Sequence, residues 1–204
     1  MGFYSKVLFP WGMNWLMSGE PFDSQREQLL AGVSGRVLEI GFGSGLNLPH
    51  YPASLSELIA IDPNPGMRRY AEPRIAQSPI TVERYELSGE SLPLVDNSFD
   101  TVVSTWTLCS IEDVDQALQE VHRVLKPGGR FIFLEHGLCD DPAVQRWQHR
   151  LDPLQQVIGD GCHLNRDIRA LVGKAGFASL DVENFCMPRT PRLIGYMYRG
   201  VAVK

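Results

Sequence analysis

The chain has 204 residues, of which 44% are hydrophobic and 21% are charged, and this is the composition of a soluble globular protein large enough for one α/β core. Its formal net charge of -5 argues against a nucleic acid as the main partner, because proteins that bind the phosphate backbone usually carry a basic face. No apolar run reaches the roughly 20 residues of a bilayer-spanning helix, and Pro10, Gly12 and Asn14 interrupt any signal-peptide pattern. We therefore predict a cytoplasmic protein without a transmembrane segment.

The four cysteines predict reduced thiols, because they form no C-x-x-C pair and show no metal-site spacing. We expect most of them to be packed in the interior, and we predict no bound metal. They are Cys109, Cys139, Cys162 and Cys186.

The first 35 residues, which we call the cap, precede the first core strand and are rich in aromatic side chains. Pro10 is expected to divide the cap into two short helices, and a further helix is expected over 23–30. Three roles are open for the cap: packing on the sheet, covering a ligand site as a lid, or contacting a membrane surface. Four of its apolar side chains recur at helical i, i+4 spacing: Phe3, Val7, Trp11 and Trp15.

A short apolar strand (37–40) then runs directly into a glycine-rich turn. Gly41, Gly43 and Gly45 remove the Cβ atoms that would keep a ligand away from the backbone. A helical turn expected at 46–48 would present free N–H groups to a polar ligand. The alternative is that the glycines serve only a tight turn.

The second strand (58–61) ends at Asp62-Pro63, about 20 residues past the glycines. Nucleoside-binding α/β folds place a carboxylate here, where it accepts hydrogen bonds from ribose hydroxyls. The alternative is an ordinary helix N-cap, with proline in the first helical position. We favour ribose binding.

The remaining pattern alternates strands and helices. Strands are predicted over 80–85, 101–106 and 130–134, and Asp113 is expected to cap a helix over 114–125 that Lys126-Pro127-Gly128-Gly129 ends. Residues 142–176 are predicted to be helical, with Asn165 capping the second helix and Gly176 ending it. Two final strands, over 179–185 and 193–203, form a hairpin.

Three landmarks in this order resemble class I S-adenosylmethionine (SAM) methyltransferases: E-x-G-x-G-x-G from Glu39, G-E-S-L-P with D-N-S-F-D over 89–100, and L-K-P-G-G over 125–129. The resemblance implies an α/β Rossmann-like sheet, mostly parallel with a C-terminal antiparallel hairpin and helices on both faces. It also implies SAM as cofactor and S-adenosylhomocysteine as product. A single domain over 1–204 would then comprise the cap, a SAM-binding core (36–138), and substrate-side helices and closing strands (139–204).

The resemblance also implies the residues that bind SAM. Many relatives have an acidic residue where Ser88 stands, so backbone contacts from the next two residues are expected on the adenine. Trp106 is expected to turn its π-surface to the sulfonium or the adenine. The implied cofactor-binding residues are Glu39, Gly41, Gly43, Gly45, Asp62, Pro63, Gly89, Glu90, Thr105 and Trp106.

Several phrases are similar to a narrower group, the methyltransferase-like thiol S-methyltransferases of animals and their bacterial relatives. The most specific is Trp147 followed by Leu151-Asp152-Pro153 and then by Asp160-Gly161-Cys162. The animal members begin with a membrane-anchoring segment, whereas this chain has only its amphipathic cap, so peripheral membrane contact stays open. The implied acceptor is a small thiol or sulfide. Methylation of a quinone, an amine or a phospholipid headgroup, and a non-catalytic SAM-binding role, are the alternatives.

A thiol with a pKa near ~8.5 is only partly ionised at neutral pH, so a nearby base or cation would help to form the thiolate. His136, at the end of the fifth strand, is the best placed candidate, because ligands of open α/β sheets gather at the carboxyl ends of strands. Asp160 and His163 are the other catalytic candidates. The alternative for each histidine is a structural or surface role.

Overall fold

The computed structural model describes residues 2–204, which form one seven-stranded sheet with helices packed on both faces. The strands are β1 (Val37–Ile40), β2 (Glu57–Ile61), β3 (Thr81–Tyr85), β4 (Phe99–Thr105), β5 (Leu125–His136), β6 (Ser179–Cys186) and β7 (Tyr196–Val203). Their order is β3-β2-β1-β4-β5-β7-β6, and β7 alone runs antiparallel to its two neighbours. The predicted fold class is therefore confirmed.

The helices alternate with the strands along the chain. They are α1 (Phe9–Leu16), α2 (Phe22–Leu30), α3 (Arg68–Gln77), α4 (Val114–Val124), α5 (Pro142–Ile158), α6 (Ile168–Lys174) and α7 (Arg192–Gly195). A π-helix (Tyr4–Leu8) leads into α1 without a break, and Pro10 lies in the first turn of α1, so Pro10 does not divide the cap into two helices as predicted. Among residues 2–204, none of the helices combines the length and the apolar character needed to cross a bilayer.

The two faces of the sheet bury separate apolar clusters, because successive side chains of a strand point to opposite faces. In β5, Phe131 and Phe133 belong to one cluster, whereas Ile132 and Leu134 belong to the other. The first cluster includes the apolar side chains of α4 and α6, and the second includes those of α2 and α3. The sheet is thus the middle layer of three.

The helical turn after the glycines begins two residues later than predicted. It is a single 3-10 turn, Leu48–His50, with Pro49 in its first positions. Tyr51 then turns extended, and the chain enters the loop before β2. Because no full helix starts here, fewer free N–H groups point at the turn than the sequence indicates.

The K-P-G-G segment is part of β5 and is not a separate loop. Leu125 pairs with Phe99 at the start of β4, directly after α4 ends. Gly128 donates its N–H to the carbonyl of Lys204, and Lys204 donates to the carbonyl of Gly129 (2.9 and 3.0 Å). The chain terminus therefore extends the sheet over this segment.

Two predicted boundaries on the substrate side are wrong by a few residues. The cap of α6 is Asp167 rather than Asn165, because the Asp167 carboxylate accepts the N–H of Ala170 at 3.0 Å. Leu193 lies in the short α7, and the last strand begins only at Tyr196. Gly176 has a φ of +86° just beyond α6, as expected of a helix-ending glycine.

Candidate functional site

The glycine turn leaves β1 at the carboxyl edge of the sheet, between β2 and β4. Gly41 and Phe42 both donate backbone hydrogen bonds to the carbonyl of Ile61, at 2.9 and 3.0 Å. Gly41, Gly43 and Gly45 have φ values of 75°, 55° and 77°, where a side chain would strain the backbone. All three predicted glycines are therefore required by the turn itself.

The three glycines differ in what surrounds them. A Cβ on Gly41 would lie 1.9 Å from Thr107 Oγ1, and a Cβ on Gly45 would lie 3.1 Å from the ring of Phe42. A Cβ on Gly43 would meet only the carbonyl oxygen of Gly41, at 3.8 Å. Gly41 and Gly45 are thus required by internal packing, whereas Gly43 borders space that a ligand can occupy.

Glu39 is fully buried and anchors the turn from inside the protein. Its Oε1 accepts a hydrogen bond from Asn47 Nδ2 at 2.8 Å, and its Oε2 accepts one from the Tyr51 hydroxyl at 2.7 Å. Asn47 also donates to Thr105 Oγ1 at 3.0 Å, which links the turn to the end of β4. Burial raises the pKa of Glu39 to about 7, although both hydrogen bonds lower it.

Asp62 closes β2 and is tied to the glycine turn. Its Oδ2 accepts the N–H of Gly43 and its Oδ1 accepts the N–H of Asn64, both at 2.8 Å. Burial raises the pKa of Asp62, and the two backbone hydrogen bonds only partly oppose this. Each carboxylate oxygen retains a lone pair for a further donor. Pro63 beside it is exposed.

Asp62 does not act as the helix cap that the alternative interpretation requires. The side chain that caps the next turn is Asn64, whose Oδ1 accepts the N–H of Gly66 at 2.9 Å. That turn is a 3-10 turn, Pro65–Met67, and α3 begins only at Arg68. Asp62 therefore lies ahead of the helical segment, at the strand end.

The predicted adenine segment lies between β3 and β4. Gly89 is buried, and a Cβ there would come within 3.0 Å of the Ile40 side chain. The Glu90 carboxylate accepts the Ser88 hydroxyl at 2.8 Å and the N–H of Asp113 at 2.7 Å. The Glu90 side chain thus joins this segment to the start of α4.

Trp106 follows β4 with a φ of +51°, a conformation that few residues of its size adopt. Its ring packs edge-on against Phe22 at 5.6 Å between centroids, and the Arg26 guanidinium lies 5.1 Å from the ring. Its indole Nε1 is buried and has no hydrogen-bond partner among residues 2–204. The ring therefore contacts α2, and its N–H is a free donor.

Glu135, the buried residue before His136, was not predicted from the sequence. Its carboxylate accepts the N–H of Thr107 through both oxygens, at 3.0 and 2.8 Å, and the Ser104 hydroxyl at 2.9 Å. Burial raises the pKa of Glu135, and these bonds counteract the rise. Glu135 thus fixes the loop after β4, and its position beside the strand-end histidine was the available signal.

At the end of β5, His136 meets two cysteines. His136 Nε2 lies 3.0 Å from Cys162 Sγ, and Cys162 Sγ lies 3.6 Å from Cys109 Sγ. Cys109 and His136 are buried, whereas Cys162 is partly exposed. The contact with Cys109 and burial raise the pKa of the Cys162 thiol, which is therefore protonated at neutral pH.

The other two catalytic candidates already have partners. His163 Nδ1 lies 3.0 Å from Asp152 Oδ2 of α5, and the other oxygen of Asp152 accepts the N–H of Leu164 at 2.7 Å. Asp160 accepts the hydroxyl of Ser5, in the cap, at 2.6 Å. The structure thus places His163 in the loop whose Cys162 contacts His136, and it places Asp160 against the cap.

The cap bridges the two sides of this region through polar contacts. On the side of Asp62, Asn64 Nδ2 donates to the carbonyl of Ser5 at 2.9 Å, and Arg69 donates to that of Val7 at 2.8 Å. On the opposite side, the Tyr4 hydroxyl donates to the carbonyl of Ile158 at 2.5 Å. The π-helix therefore spans from the end of β2 to the end of α5.

Three aromatic side chains of the cap, Phe3, Trp11 and Trp15, face outward, whereas Phe22 packs against the core. Trp11 and Trp15 are 62% and 74% exposed, and Phe3 is also exposed. Within α1 only Pro10 is buried. Simple packing on the sheet is therefore not what these three side chains do.

Three comparisons relate the chain to known proteins. Residues 38–133 match a family model described as a methyltransferase domain. Thiol S-methyltransferase TMT1A of Homo sapiens is 36% identical, with 87% of this chain and 75% of that protein aligned. Thiol S-methyltransferase TMT1B of Rattus norvegicus is 35% identical, over 98% of this chain and 87% of that protein.

The fold also resembles that of a solved SAM-dependent methyltransferase from Thermotoga maritima, described as a possible histamine N-methyltransferase. The TM-score is 0.70, and 98% of each chain is covered, at 20% sequence identity. At this identity the likeness concerns the fold alone.

Proposed function

Because the chain belongs to the methyltransferase family that includes the thiol S-methyltransferases TMT1A and TMT1B, we propose that it transfers a methyl group from SAM to a small thiol or to sulfide. The prediction of a SAM-dependent methyltransferase is confirmed by this family membership. The observation that carries the thiol acceptor is the extent of the identity. The alignment with TMT1B of Rattus norvegicus covers 98% of the chain and therefore extends into residues 139–204, beyond the motifs that bind SAM.

The residues at the carboxyl edge of the sheet suit SAM. The open space over Gly43 accepts the amino-acid end of the cofactor, and Asp62 accepts the ribose hydroxyls with its remaining lone pairs. Gly41 and Gly45 shape the turn, and Glu39 holds it through Asn47. The buried Nε1 of Trp106 finds no acceptor in the part of the chain that the structure describes, and a polar ligand group would satisfy it.

The adenine end is assigned to the segment before β4. Gly89 brings the backbone close to the end of β1, and the Glu90 side chain is occupied by Ser88 and Asp113. The backbone of Gly89 and Glu90 is therefore the part that remains for the adenine. We assign Pro63 and Thr105 to the border of the cofactor site.

Bound SAM supplies an electrophilic methyl group on a sulfonium, so that a new carbon–sulfur bond forms on the acceptor as the old one breaks. The protein has to hold the acceptor sulfur in line with that carbon, a proximity effect worth several kcal/mol. His136 lies at the carboxyl edge of β5, where ligands of such sheets gather. We assign to His136 the holding of the acceptor sulfur.

Asp160 and His163 have supporting roles in this proposal. Asp160 accepts a hydrogen bond from the Ser5 hydroxyl and so holds the cap in place. Asp152 orients His163 in the loop that carries Cys162. The cap acts as a lid over the acceptor, since it is joined to both sides of the site. Contact of its exposed tryptophans with a membrane stays a prediction.

The test is an acceptor screen with SAM that carries a labelled methyl group. Alkyl thiols and sulfide are compared with amines, phenols, a quinone and phospholipid vesicles at equal concentrations. The expected result is label on sulfur acceptors, at rates well above those for the others. Ready methylation of an amine, a phenol or a headgroup with none of any thiol would overturn the thiol assignment, and no turnover with any acceptor would favour a SAM-binding role.

A further inference from the structure

Three side chains with metal-binding atoms converge beside the proposed acceptor site. The Nε2 of His136 and the Sγ atoms of Cys109 and Cys162 all lie within 4.8 Å of one another. Two of these separations are 3.0 Å (His136 to Cys162) and 3.6 Å (Cys162 to Cys109). An N, S, S donor set is one that zinc binds well.

The fold brings these side chains together from three separate segments. Cys109 lies after β4, His136 ends β5, and Cys162 lies between α5 and α6. The backbone fixes the two cysteine loops to each other, because the N–H of His163 donates to the carbonyl of Cys109 at 2.8 Å. Arg166 donates to the carbonyl of Leu108 and adds a second tie.

The separations are close to those of a tetrahedral zinc site. With Zn–S near 2.3 Å and Zn–N near 2.0–2.1 Å, two sulfurs would be about 3.8 Å apart and sulfur and nitrogen about 3.6 Å apart. The observed sulfur pair at 3.6 Å needs almost no movement, and the His136–Cys162 pair at 3.0 Å has to open slightly. Contact of two thiols with an imidazole alone makes only weak hydrogen bonds.

We infer that Cys109, His136 and Cys162 bind one Zn²⁺ ion, whose fourth position takes the sulfur of the acceptor thiol, so that His136 holds this sulfur through the ion. This inference rests on the proposed function for the identity of the fourth ligand. On binding, the thiol S–H bond breaks, its proton leaves to water, and the sulfur lone pair forms the bond to zinc. No atom changes oxidation state, and the product is a zinc-bound thiolate.

The ligand set also suits a reaction with a cationic methyl donor. When zinc binds, Cys109 and Cys162 each release their S–H proton to water, so that two thiolates neutralise the charge of Zn²⁺ and the neutral histidine adds none. With the substrate thiolate bound, the zinc site would have a net charge of -1, and this charge favours attack on a sulfonium. A zinc ion deprotonates its thiol ligand outright, so that no separate protein base is required.

The test uses reduced, metal-free protein titrated with Zn²⁺ by calorimetry and with Co²⁺ by absorption, both under nitrogen. We expect one ion per chain and a sulfur-to-cobalt charge-transfer band. Cys109→Ser, Cys162→Ser and His136→Gln should each lower zinc affinity about 100-fold or more, since even residues behind a ligand cost 10–100-fold. Cys139→Ser, at a buried thiol outside the cluster, should bind zinc as the parent does.

Absence of zinc binding to the parent, or equal binding by all four variants, would overturn the site. A second measurement separates this inference from the proposed function. Equal rates of thiol methylation with and without bound zinc would overturn the role of the ion while the proposed function stands. Tight zinc binding without methylation of any thiol would instead overturn the acceptor assignment, and with it the substrate as fourth ligand.

Discussion

The hydroxyl of Ser5 donates a hydrogen bond of 2.6 Å to the carboxylate of Asp160, across 155 residues of sequence. The carbonyl of the same Ser5 accepts Asn64 Nδ2, two residues past the strand-end Asp62. One residue of the cap therefore touches both the proposed cofactor side and the proposed acceptor side. This arrangement is what a lid requires, because closing it couples the two halves of the site.

Ser5→Ala should loosen the lid without unfolding the protein. The lost hydrogen bond to a partly exposed carboxylate contributes about 1 kcal/mol, which corresponds to a roughly fivefold smaller ratio of the closed to the open state. We expect kcat/KM for the acceptor to fall about fivefold and amide exchange over residues 4–16 to accelerate. The melting temperature should change little, since Pro10 alone is buried in α1.

Ser18→Ala is the matched control for the lid. The Ser18 hydroxyl donates to the carbonyl of Asn14. The substitution therefore removes a hydrogen bond inside the cap and none across the site. Unchanged exchange and unchanged kcat/KM in Ser5→Ala would show that the cap is fixed by other contacts and that the Ser5–Asp160 bond does not gate the reaction.

Gly43→Ala should weaken SAM binding more than it weakens the fold. Its φ of +55° costs an alanine about 1 kcal/mol of stability, but apart from its two chain neighbours no atom of residues 2–204 would lie closer than 3.8 Å to the new methyl group. The methyl group would fill the space assigned to the cofactor, so we expect at least a tenfold rise in the dissociation constant of SAM. Calorimetry and thermal unfolding measure the two effects separately.

Two other glycines calibrate this result. Gly176→Ala has a φ of +86° with nothing within 4 Å, and should lose similar stability with no change in SAM affinity. Gly41→Ala would place a methyl group 1.9 Å from Thr107 Oγ1 and should destabilise the whole protein. If Gly43→Ala binds SAM as the parent does, the cofactor does not lie over this turn.

The fold could be predicted from sequence because its signals are local. Val37, Leu38 and Ile40 form an apolar strand that is followed by glycines with positive φ, and α4 has a continuous apolar stripe. The early start of β5 depends on a partner distant in sequence, since Lys204 pairs with Gly128, whereas the cap of α6 was misassigned between two neighbouring polar residues. No pattern within the K-P-G-G segment indicates that pairing.

The site was only partly predictable for the same reason. Asp62 and the glycines are recognisable by spacing, because they are placed by consecutive elements. The contact of Cys162 with Cys109 joins residues 53 apart and that with His136 joins residues 26 apart, so no metal-site spacing exists in the sequence. Such clusters become visible only when the strand order is known.

Asp62→Ala should weaken SAM binding by about 1.5–3 kcal/mol, the usual loss when hydrogen bonds to a charged group are removed. Part of this loss arises through the turn, since the Asp62 carboxylate also accepts the N–H of Gly43. Calorimetric titration with SAM measures it. Glu83→Ala, an exposed carboxylate change on the neighbouring β3, should leave the affinity unchanged, and an equal affinity in Asp62→Ala would contradict the ribose assignment.

Glu39→Gln should change how the stability of the SAM-free protein depends on pH. The pKa of Glu39 is about 7 in the folded protein against an ordinary value of 4.5, so the folded state holds this proton more tightly. The corresponding stability is fully present below pH 4.5 and is lost as the pH rises through 7. A difference of about 2.5 units amounts to roughly 3 kcal/mol.

Glutamine keeps an acceptor for Asn47 or Tyr51 and carries no titrating proton, so the variant lacks this loss. Relative to the parent, Glu39→Gln should therefore gain up to about 3 kcal/mol in the free energy of unfolding between pH 5 and pH 8, measured by urea denaturation. Glu120→Gln is the control, because Arg123 holds the pKa of Glu120 below its ordinary value and its titration lies below this window. A difference between Glu39→Gln and the parent that stays constant from pH 5 to pH 8 would mean that Glu39 is ionised throughout, stabilised by Arg26 and its two donors despite its burial.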